Sequence, residues 1–276
     1  MSAELQHPLA KATDAADFDL LQSQLALGQR DYRTAIKYIS RYVEEVPASS
    51  DALTTWGDAL AVQGVEENSE AASEEAAGKW KQAIDRNPKA LPPRYSLARH
   101  YTQTQRTAEA IQECEELLRL APHDSWLRRT LVGLYGAAGR YNDAQRAVDE
   151  LLEREPRSAE LHAMSAGVLA QRGLVMEALD ALRQAVSLGP SIAWMRLSLA
   201  NQLAQIGRLD EAAAEFNQAI RLDPNNLSYR MQLTNFYWFR QQPLLALPHL
   251  EAAVAIEPTS AEAHGCSARS TLRSVS

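Results

Sequence analysis

The feature that most constrains this chain is an internal repeat with a period of 34 residues. Six prolines recur at that spacing, and an alanine lies twelve residues before each of them. A seventh pair, Ala35 and Pro47, precedes the next pair by 41 residues. A period in this range is typical of a helical solenoid, in which each unit packs only against its neighbours. The prolines are Pro88, Pro122, Pro156, Pro190, Pro224 and Pro258, and their alanines are Ala76, Ala110, Ala144, Ala178, Ala212 and Ala246.

Each repeat is predicted to contain two helices separated by a turn. If the proline is position 32, the repeats begin at residues 16, 50, 91, 125, 159, 193 and 227. Glycine at position 15 suits the end of the first helix, because it adopts the left-handed conformation at little cost. The second helix repeats its apolar residues at helical spacing, and the proline then ends it. Position 15 holds Gly64, Gly139, Gly173 and Gly207, or else Arg30, Gln105 and Gln241.

The alanine at position 20 is predicted to lie where the two helices of a repeat cross. Helices approach closely only where a side chain at the crossing is small, as ridges settle into grooves. The first helix is expected to supply the facing residues from positions 7, 8 and 11. In repeats four and six these are Leu131, Val132 and Tyr135, and Leu199, Ala200 and Leu203.

The period, the small residue at position 8, the alanine at position 20 and the proline at position 32 resemble the tetratricopeptide repeat family over residues 16–260. The resemblance implies an all-α fold, an α-solenoid of seven 34-residue helix-turn-helix repeats that form a right-handed superhelix. The family's preferred aromatic at position 4 is absent, and repeats three to seven have arginine or histidine there. We interpret these residues as partners of acids or carbonyls at the end of the preceding helix, such as Glu155 or Asp223, rather than as a row that grips an acidic ligand. They are Arg94, Arg128, His162, Arg196 and Arg230.

Three segments depart from the regular frame. Repeat two carries seven extra residues between Gly64 and Ala76, in the acidic stretch VEENSEAASEE. We expect this insertion to lie in the turn between the helices, as a solvated helical extension or, alternatively, as a docking site. Residues 1–15 are predicted to be a polar lead-in, and residues 261–276 an incomplete cap or disordered tail. In repeat seven, Pro248 is expected to kink the second helix.

Composition and motifs argue against several classes of function. The formal net charge of −7 lacks the basic footprint of a nucleic-acid-binding protein. No stretch approaches the roughly 18 apolar residues that span a bilayer, so we expect no membrane partner and a cytoplasmic location. Cys114 and Cys266 suggest no disulfide framework, and Cys114 is expected to be a small buried residue. No catalytic or metal-binding motif is recognised, so the sequence predicts no enzyme, catalytic residue, metal or cofactor.

A candidate binding groove follows from the resemblance, since the first helices of this family line a concave face. Trp126 and Trp194 share position 2, as aromatic anchors of an interface or as residues that fill space between repeats. Asn201 and Asn235 share position 9, where an amide can bond to a peptide backbone. Position 5 is never lysine, so the pattern that binds acidic C-termini of heat-shock chaperones is missing. The predicted partner-binding residues are Tyr95, Arg99, Trp126, Arg129, Met164, Trp194, Asn201, Gln205, Met231, Asn235 and Trp238.

The sequence therefore favours a non-catalytic scaffold or adaptor that binds a peptide or protein segment in its concave groove. The alternative is a substrate-recruiting arm of a larger enzyme, because the resemblance extends to the repeat arms of glycosyltransferases such as O-GlcNAc transferase. A third hypothesis is self-assembly. Repeat seven is rich in large apolar residues, including Phe239, Leu244 and Leu245, so a homodimer through this repeat is also predicted.

Overall fold

The computed structural model describes residues 15–45 and 49–257. Over these residues the chain forms fourteen α-helices and no strand, which confirms the all-α class. The helices occur as seven pairs along the chain. They are α1 (Ala15–Gly28), α2 (Tyr32–Glu45), α3 (Ser50–Glu66), α4 (Glu70–Arg86), α5 (Leu91–Gln103), α6 (Thr107–Leu120), α7 (Ser125–Ala137), α8 (Tyr141–Arg154), α9 (Ala159–Gln171), α10 (Val175–Leu188), α11 (Ala193–Gln205), α12 (Leu209–Leu222), α13 (Leu227–Phe239) and α14 (Pro243–Ile256).

The chain divides into two compact units, one ending at Arg140 and the other beginning at Tyr141. The first unit contains α1 to α7, and each helix packs against the next along the chain. The second unit contains α8 to α14 and is built in the same way. Each unit thus contains three helical hairpins and one further helix, as expected for an all-α solenoid of helical repeats.

The core of each unit is formed by buried residues from both helices of the hairpins. The alanine at position 20 is at most 2% exposed in all seven repeats. Four and seven residues later, at positions 24 and 27, the same helix face supplies further buried side chains, because residues at these spacings lie above one another. Position 24 holds Ile39, Trp80, Cys114, Val148, Leu182, Phe216 and Leu250, each no more than 6% exposed. Leu131, Val132, Tyr135, Leu199, Ala200 and Leu203, predicted to face inward from first helices, are also buried.

The turn inside each hairpin closes with one recurring hydrogen bond. The backbone N–H of position 16 donates to the carbonyl five residues earlier, as in Arg208 to Leu203 at 2.9 Å. The preceding residue is left-handed, and Gly207 there has a φ of +79°, which glycine adopts without a steric penalty. Gln105 has a φ of +58° in the same place. Left-handed residues also occur at Arg30, Gly139, Gly173 and Gln241.

The turn of repeat two does not lie where the sequence predicts it. Its left-handed residue is Asn68, with a φ of +50°, and not Gly64, which is buried within α3. The closing bond runs from Ser69 N to Gly64 O at 2.8 Å, so the whole turn is displaced along the chain. Gly64 instead allows the backbone at Ser69 to approach closely, since an added Cβ would lie 3.1 Å from the carbonyl oxygen of Ser69.

The seven extra residues lengthen both helices of repeat two and leave the turn its usual length. Helix α3 has 17 residues where α5, α7, α9, α11 and α13 have 13. Helix α4 has 17 where α6 and α10 have 14. The insertion therefore forms the expected helical extension but does not lie in the turn, because alanine and glutamate are good helix formers and continue the helices on either side.

Several sequence predictions concern the ends of the repeats. Helix α14 continues through Pro248 to Ile256, so this proline does not end the helix. Its first residue is Pro243, where a proline costs no helical hydrogen bond. The predictions for Pro47, Pro258, the lead-in through residue 14 and the tail at 261–276 lie outside the described residues.

Candidate partner-binding surface

Three of the four predicted binding residues of the first unit surround one pocket. Tyr95 and Arg99 of α5, with Ser96, face Trp126 of α7 across a space of about 380 Å³. The rings of Tyr95 and Trp126 are 6.0 Å apart at an interplanar angle of 45°. Trp126 is 50% exposed, so a partner can cover much of its surface. The fourth residue, Arg129, is half-buried and does not line this pocket.

Tyr95 is held in place by the residue that precedes α7. Its hydroxyl donates a hydrogen bond to a carboxylate oxygen of Asp124. The other oxygen of Asp124 accepts from Leu127 N at 3.1 Å, as the N-cap of α7. Burial, followed by the hydrogen bond to Asp124, raises the pKa of Tyr95 to about 12. The tyrosine therefore stays neutral and provides a rigid ring wall, and its hydroxyl is already engaged.

Arg99 stands between this pocket and a second one of about 470 Å³. Both pockets are lined by Ser96 and Arg99. The guanidinium is exposed, and within the described part of the chain it forms no hydrogen bond and no ion pair. It is available to donate to a bound molecule at the junction of the two pockets.

The second pocket lies between the first helices of repeats two and three. Helix α3 contributes Asp58, Ala61, Val62 and Val65, α4 contributes Ser73 and Trp80, and α5 contributes Ser96, Arg99, His100 and Gln103. Trp80 approaches the backbone of Gly57 so closely that an added Cβ would lie 2.5 Å from its Nε1. That close approach fixes the indole as one wall of the pocket.

Polar contacts connect the walls of the second pocket. Oδ1 of Asp58 accepts hydrogen bonds from Trp80 Nε1 at 3.0 Å and from Ser96 Oγ at 2.9 Å. Burial raises the pKa of the Asp58 carboxyl, although both hydrogen bonds and Arg99 act in the other direction. His100 Nδ1 lies 3.3 Å from Ser73 Oγ, and its ring meets Trp80 edge-on at 6.0 Å. These contacts hold the walls of the second pocket in place.

The predicted residues of the second unit are divided between surface and core. Trp194 is 44% exposed, Gln205 is exposed, and Met164 and Asn235 are half-buried. Trp238 packs against the main core cluster of this unit. Asn201 Nδ2 donates to Gln232 Oε1 at 3.1 Å, which ties repeat six to repeat seven.

The prediction that Met231 binds a partner is wrong. Met231 is 3% exposed and packs against Leu250 and Ala253 of α14. Position 5 borders the stripe that faces the second helix, and the flexible methionine side chain fills the gap there. It is part of the core and offers no surface to a partner.

The residues at position 4 have the structural role that the sequence favoured, and they bond to carbonyls just after the preceding helix, as expected. Arg196 Nε donates to Pro190 O at 3.0 Å, and its Nη1 lies 2.8 Å from Glu215 Oε2. The carbonyl belongs to the proline of the preceding repeat and the carboxylate to the second helix of the same repeat, so the side chain joins neighbouring repeats. The equivalent contacts are Arg94 with Pro88 and Glu113, Arg230 with Pro224, and His162 with Pro156.

The second unit has a pocket of about 430 Å³ lined by α10, α11 and α12. Its charged residues are engaged with one another. Glu215 pairs with Arg196 at 2.8 Å, and Arg183 lies 3.8 Å from Glu211. This pocket therefore presents fewer free polar groups than the pockets beside Arg99.

Sequence reasoning missed the second pocket of the first unit. Asp58 shares position 9 with Arg99, Asn201 and Asn235, so extending the groove frame to repeat two would have identified it. Val65 could not be found in this way, because it lies in the displaced part of α3 beyond the regular frame.

Other kinds of site receive no support from the described residues. These residues include no group of three or more histidine, cysteine or acidic side chains arranged to hold a metal ion. None of the helices in the described ranges combines the length and apolar character needed to cross a membrane. Cys114 is fully buried, as expected, and burial raises the pKa of its thiol to about 11.

Comparisons with known proteins agree with the repeat architecture. Two sequence models, each described as a tetratricopeptide repeat, match residues 103–167 and residues 73–125 and 169–226. Together they cover more than half of the chain, which therefore belongs to the tetratricopeptide repeat family. Proteins of this family generally mediate protein–protein interactions, and their repeats are typically non-catalytic. No curated protein matches the chain by sequence.

Solved structures with the same fold share little sequence with this chain. A tetratricopeptide repeat protein from Parabacteroides merdae has a TM-score of 0.61 and 16% identity, covering 93% of this chain and 99% of the other. The C-terminal part of a repeat protein from Cytophaga hutchinsonii has a TM-score of 0.57 and 16% identity, covering 95% and 92%. MamA from Desulfovibrio magneticus has a TM-score of 0.53 and 18% identity, covering 61% and 95%. Similarity at this level shows the fold alone.

Proposed function

We propose that the protein is a non-catalytic scaffold that binds an extended segment of a partner protein, centred on the first helices of the first unit. The observation that carries this proposal is the convergence of Tyr95, Arg99 and Trp126 on one pocket. A half-exposed tryptophan beside a rigid tyrosine ring and an unengaged guanidinium has the composition of an interface hot spot. The family's general role in protein–protein interactions supports the same function.

Binding in the second unit is a weaker part of the proposal. Trp194, Gln205, Met164 and Asn235 offer surface to a partner there, while Asn201 would first have to release Gln232. The structure therefore supports a site centred on the first unit more strongly than a groove that extends over repeats three to seven.

The test is selection from a display library of random linear peptides, followed by titration of synthetic copies of the enriched peptides. Trp126→Ala should weaken binding by at least about tenfold, because truncation of a central aromatic anchor costs roughly 2 kcal/mol or more. Phe18→Ala is the matched control, since Phe18 is an exposed aromatic residue of α1 that lines neither pocket. Failure of any peptide to bind the parent protein would contradict the proposed function.

Self-association through repeat seven is a second candidate, favoured by a separate observation. Phe239 is 87% exposed, Leu244 83% and Leu245 51%. Repeat six has Gln205, Asp210 and Glu211 at these positions, so the fold does not require apolar residues there. Contiguous exposed apolar surface of this kind marks an interface, which two copies can bury symmetrically.

Sedimentation velocity at several protein concentrations tests the dimer. The parent protein should sediment faster as the concentration rises, and the double variant Phe239→Asp, Leu244→Asp should remain a monomer. Trp126→Ala serves as the control for the loss of an exposed aromatic in the other unit. A parent protein that stays monomeric at all concentrations would refute the dimer without affecting the peptide-binding proposal.

A further inference from the structure

The insertion in repeat two places an apolar surface next to the proposed binding site. Residues 63–66 add one helical turn to α3 beyond the usual length of a first helix. Val62 and Val65 lie three residues apart, on one face of this helix, and both line the second pocket. Val65 is 82% exposed, and the residues that follow it, Glu66, Glu67 and Asn68, are polar. The side chain of Val65 is therefore available to a bound molecule.

The pocket that this turn completes has the size and lining of a ligand site. Its volume of about 470 Å³ falls within the roughly 300–1,000 Å³ that is typical of such sites. Trp80 forms part of the lining and is only 2% exposed, because it is packed against Gly57. An aliphatic side chain that enters from solvent would contact Val62 and Val65, the exposed valines of the lining.

The polar groups of the pocket suit the backbone of a peptide. Oδ1 of Asp58 is occupied by Trp80 and Ser96, which leaves Oδ2 as a hydrogen-bond acceptor. Arg99 supplies unengaged donors at the junction with the neighbouring pocket. One acceptor and one donor match the N–H and C=O groups of an extended chain. Because one charge is negative and the other positive, the pair favours an uncharged occupant over an acidic one.

We propose that the insertion builds a subsite for an aliphatic side chain within an uncharged, extended stretch of the partner, with the backbone held by Asp58 and Arg99. This inference rests on the proposed function, since it assumes that a peptide binds beside Tyr95 and Trp126. The two pockets share Arg99, so one peptide can occupy both. Neighbouring helices lie about 8–10 Å apart, which an extended chain crosses in about three residues. The partner segment therefore carries two apolar residues about three positions apart.

The experiment uses the peptides enriched from the random display library described above. Val65→Asp should weaken their binding by about tenfold or more, because it places a charge against the bound aliphatic group. Met176→Asp is the matched control, since Met176 is 56% exposed on α10 in the second unit. Arg99→Ala should weaken binding, whereas Arg99→Gln should retain most of it, because glutamine keeps an N–H donor. Val65 is exposed, so the circular dichroism of its variant should match that of the parent.

Other outcomes would overturn the inference in distinguishable ways. If binding depends on Trp126 but tolerates Val65→Asp, the proposed function stands and the subsite is wrong. If added salt weakens binding steeply, the occupant is charged and the assignment of an uncharged segment is wrong. If no peptide binds the parent protein, the proposed function and the subsite fail together.

Discussion

Removal of the insertion should leave the fold intact, although it shortens two helices. Deleting residues 66–72 joins Val65 directly to Ser73, and the turn then falls at Gln63, Gly64 and Val65. Gly64 would take the left-handed position that Gly139, Gly173 and Gly207 occupy in their own repeats. The shortened hairpin would thus have the helix lengths and the turn of its neighbours.

The expected change in the free energy of unfolding follows from what the deletion removes. Residues 66–72 contribute no side chain to the buried core. The main loss is Ser69 as the N-cap of α4, which accepts from Ala72 N at 3.3 Å, worth about 1 kcal/mol. Replacing left-handed Asn68 by glycine offsets part of this loss. The exposed ion pair between Arg33 and Glu67 also disappears, and such a pair stabilises little. We expect a net destabilisation of about 1 kcal/mol.

Urea denaturation followed by far-ultraviolet circular dichroism measures this change. The midpoint should shift slightly and the slope should remain nearly constant, since little buried surface is lost. Deleting residues 171–177 from repeat five is the control, because that repeat has no surplus turn and should lose its hairpin. A loss above about 3 kcal/mol in the first deletion would show that the insertion supports the core.

The remaining predictions concern the core and its titratable groups. Ala178→Leu should destabilise the protein by about 1–3 kcal/mol by overpacking the helix crossing, and exposed Ala214→Leu should not, by urea denaturation. Iodoacetamide should modify Cys114 only after denaturation, because burial raises the pKa of its thiol to about 11. Burial, with a contribution from Arg230, lowers the pKa of His249 below its ordinary 6.5. Folding therefore favours the neutral ring, so stability should fall as the pH drops below 6.5 through the lowered pKa, and His249→Gln should reduce this dependence.

The periodic sequence was sufficient to predict the helices and much of the core. An alanine that recurs at position 20 in every repeat indicates a helix crossing, because a larger side chain there would separate the two helices. The same periodicity correctly predicted Cys114 as buried and position 4 as structural. These features follow from local spacing, which the sequence shows directly.

The sequence did not determine where the insertion would be accommodated. Gly64 and Asn68 are both acceptable in a left-handed turn, and the residues between them form helices readily. In the structure α3 continues past Gly64, where an added Cβ would lie 3.1 Å from the carbonyl oxygen of Ser69. The pocket lined by Val62 and Val65 depends on that choice, so spacing alone could not predict it.

Comparison among the repeats distinguishes structural positions from candidate binding positions within this one chain. Position 20 is always alanine, because each repeat must cross its helices in the same way. Position 4 is arginine or histidine in repeats three to seven, where these side chains include links to the preceding repeat. Position 9 of the first helix changes in chemistry from one repeat to the next, so the stacking of repeats does not determine it. Variation of this kind suits a ligand that differs along its length, as an extended peptide does, although Asp58 and Asn201 also bond to neighbouring side chains. From repeat two to repeat seven, position 9 holds Asp58, Arg99, Gly133, Gly167, Asn201 and Asn235.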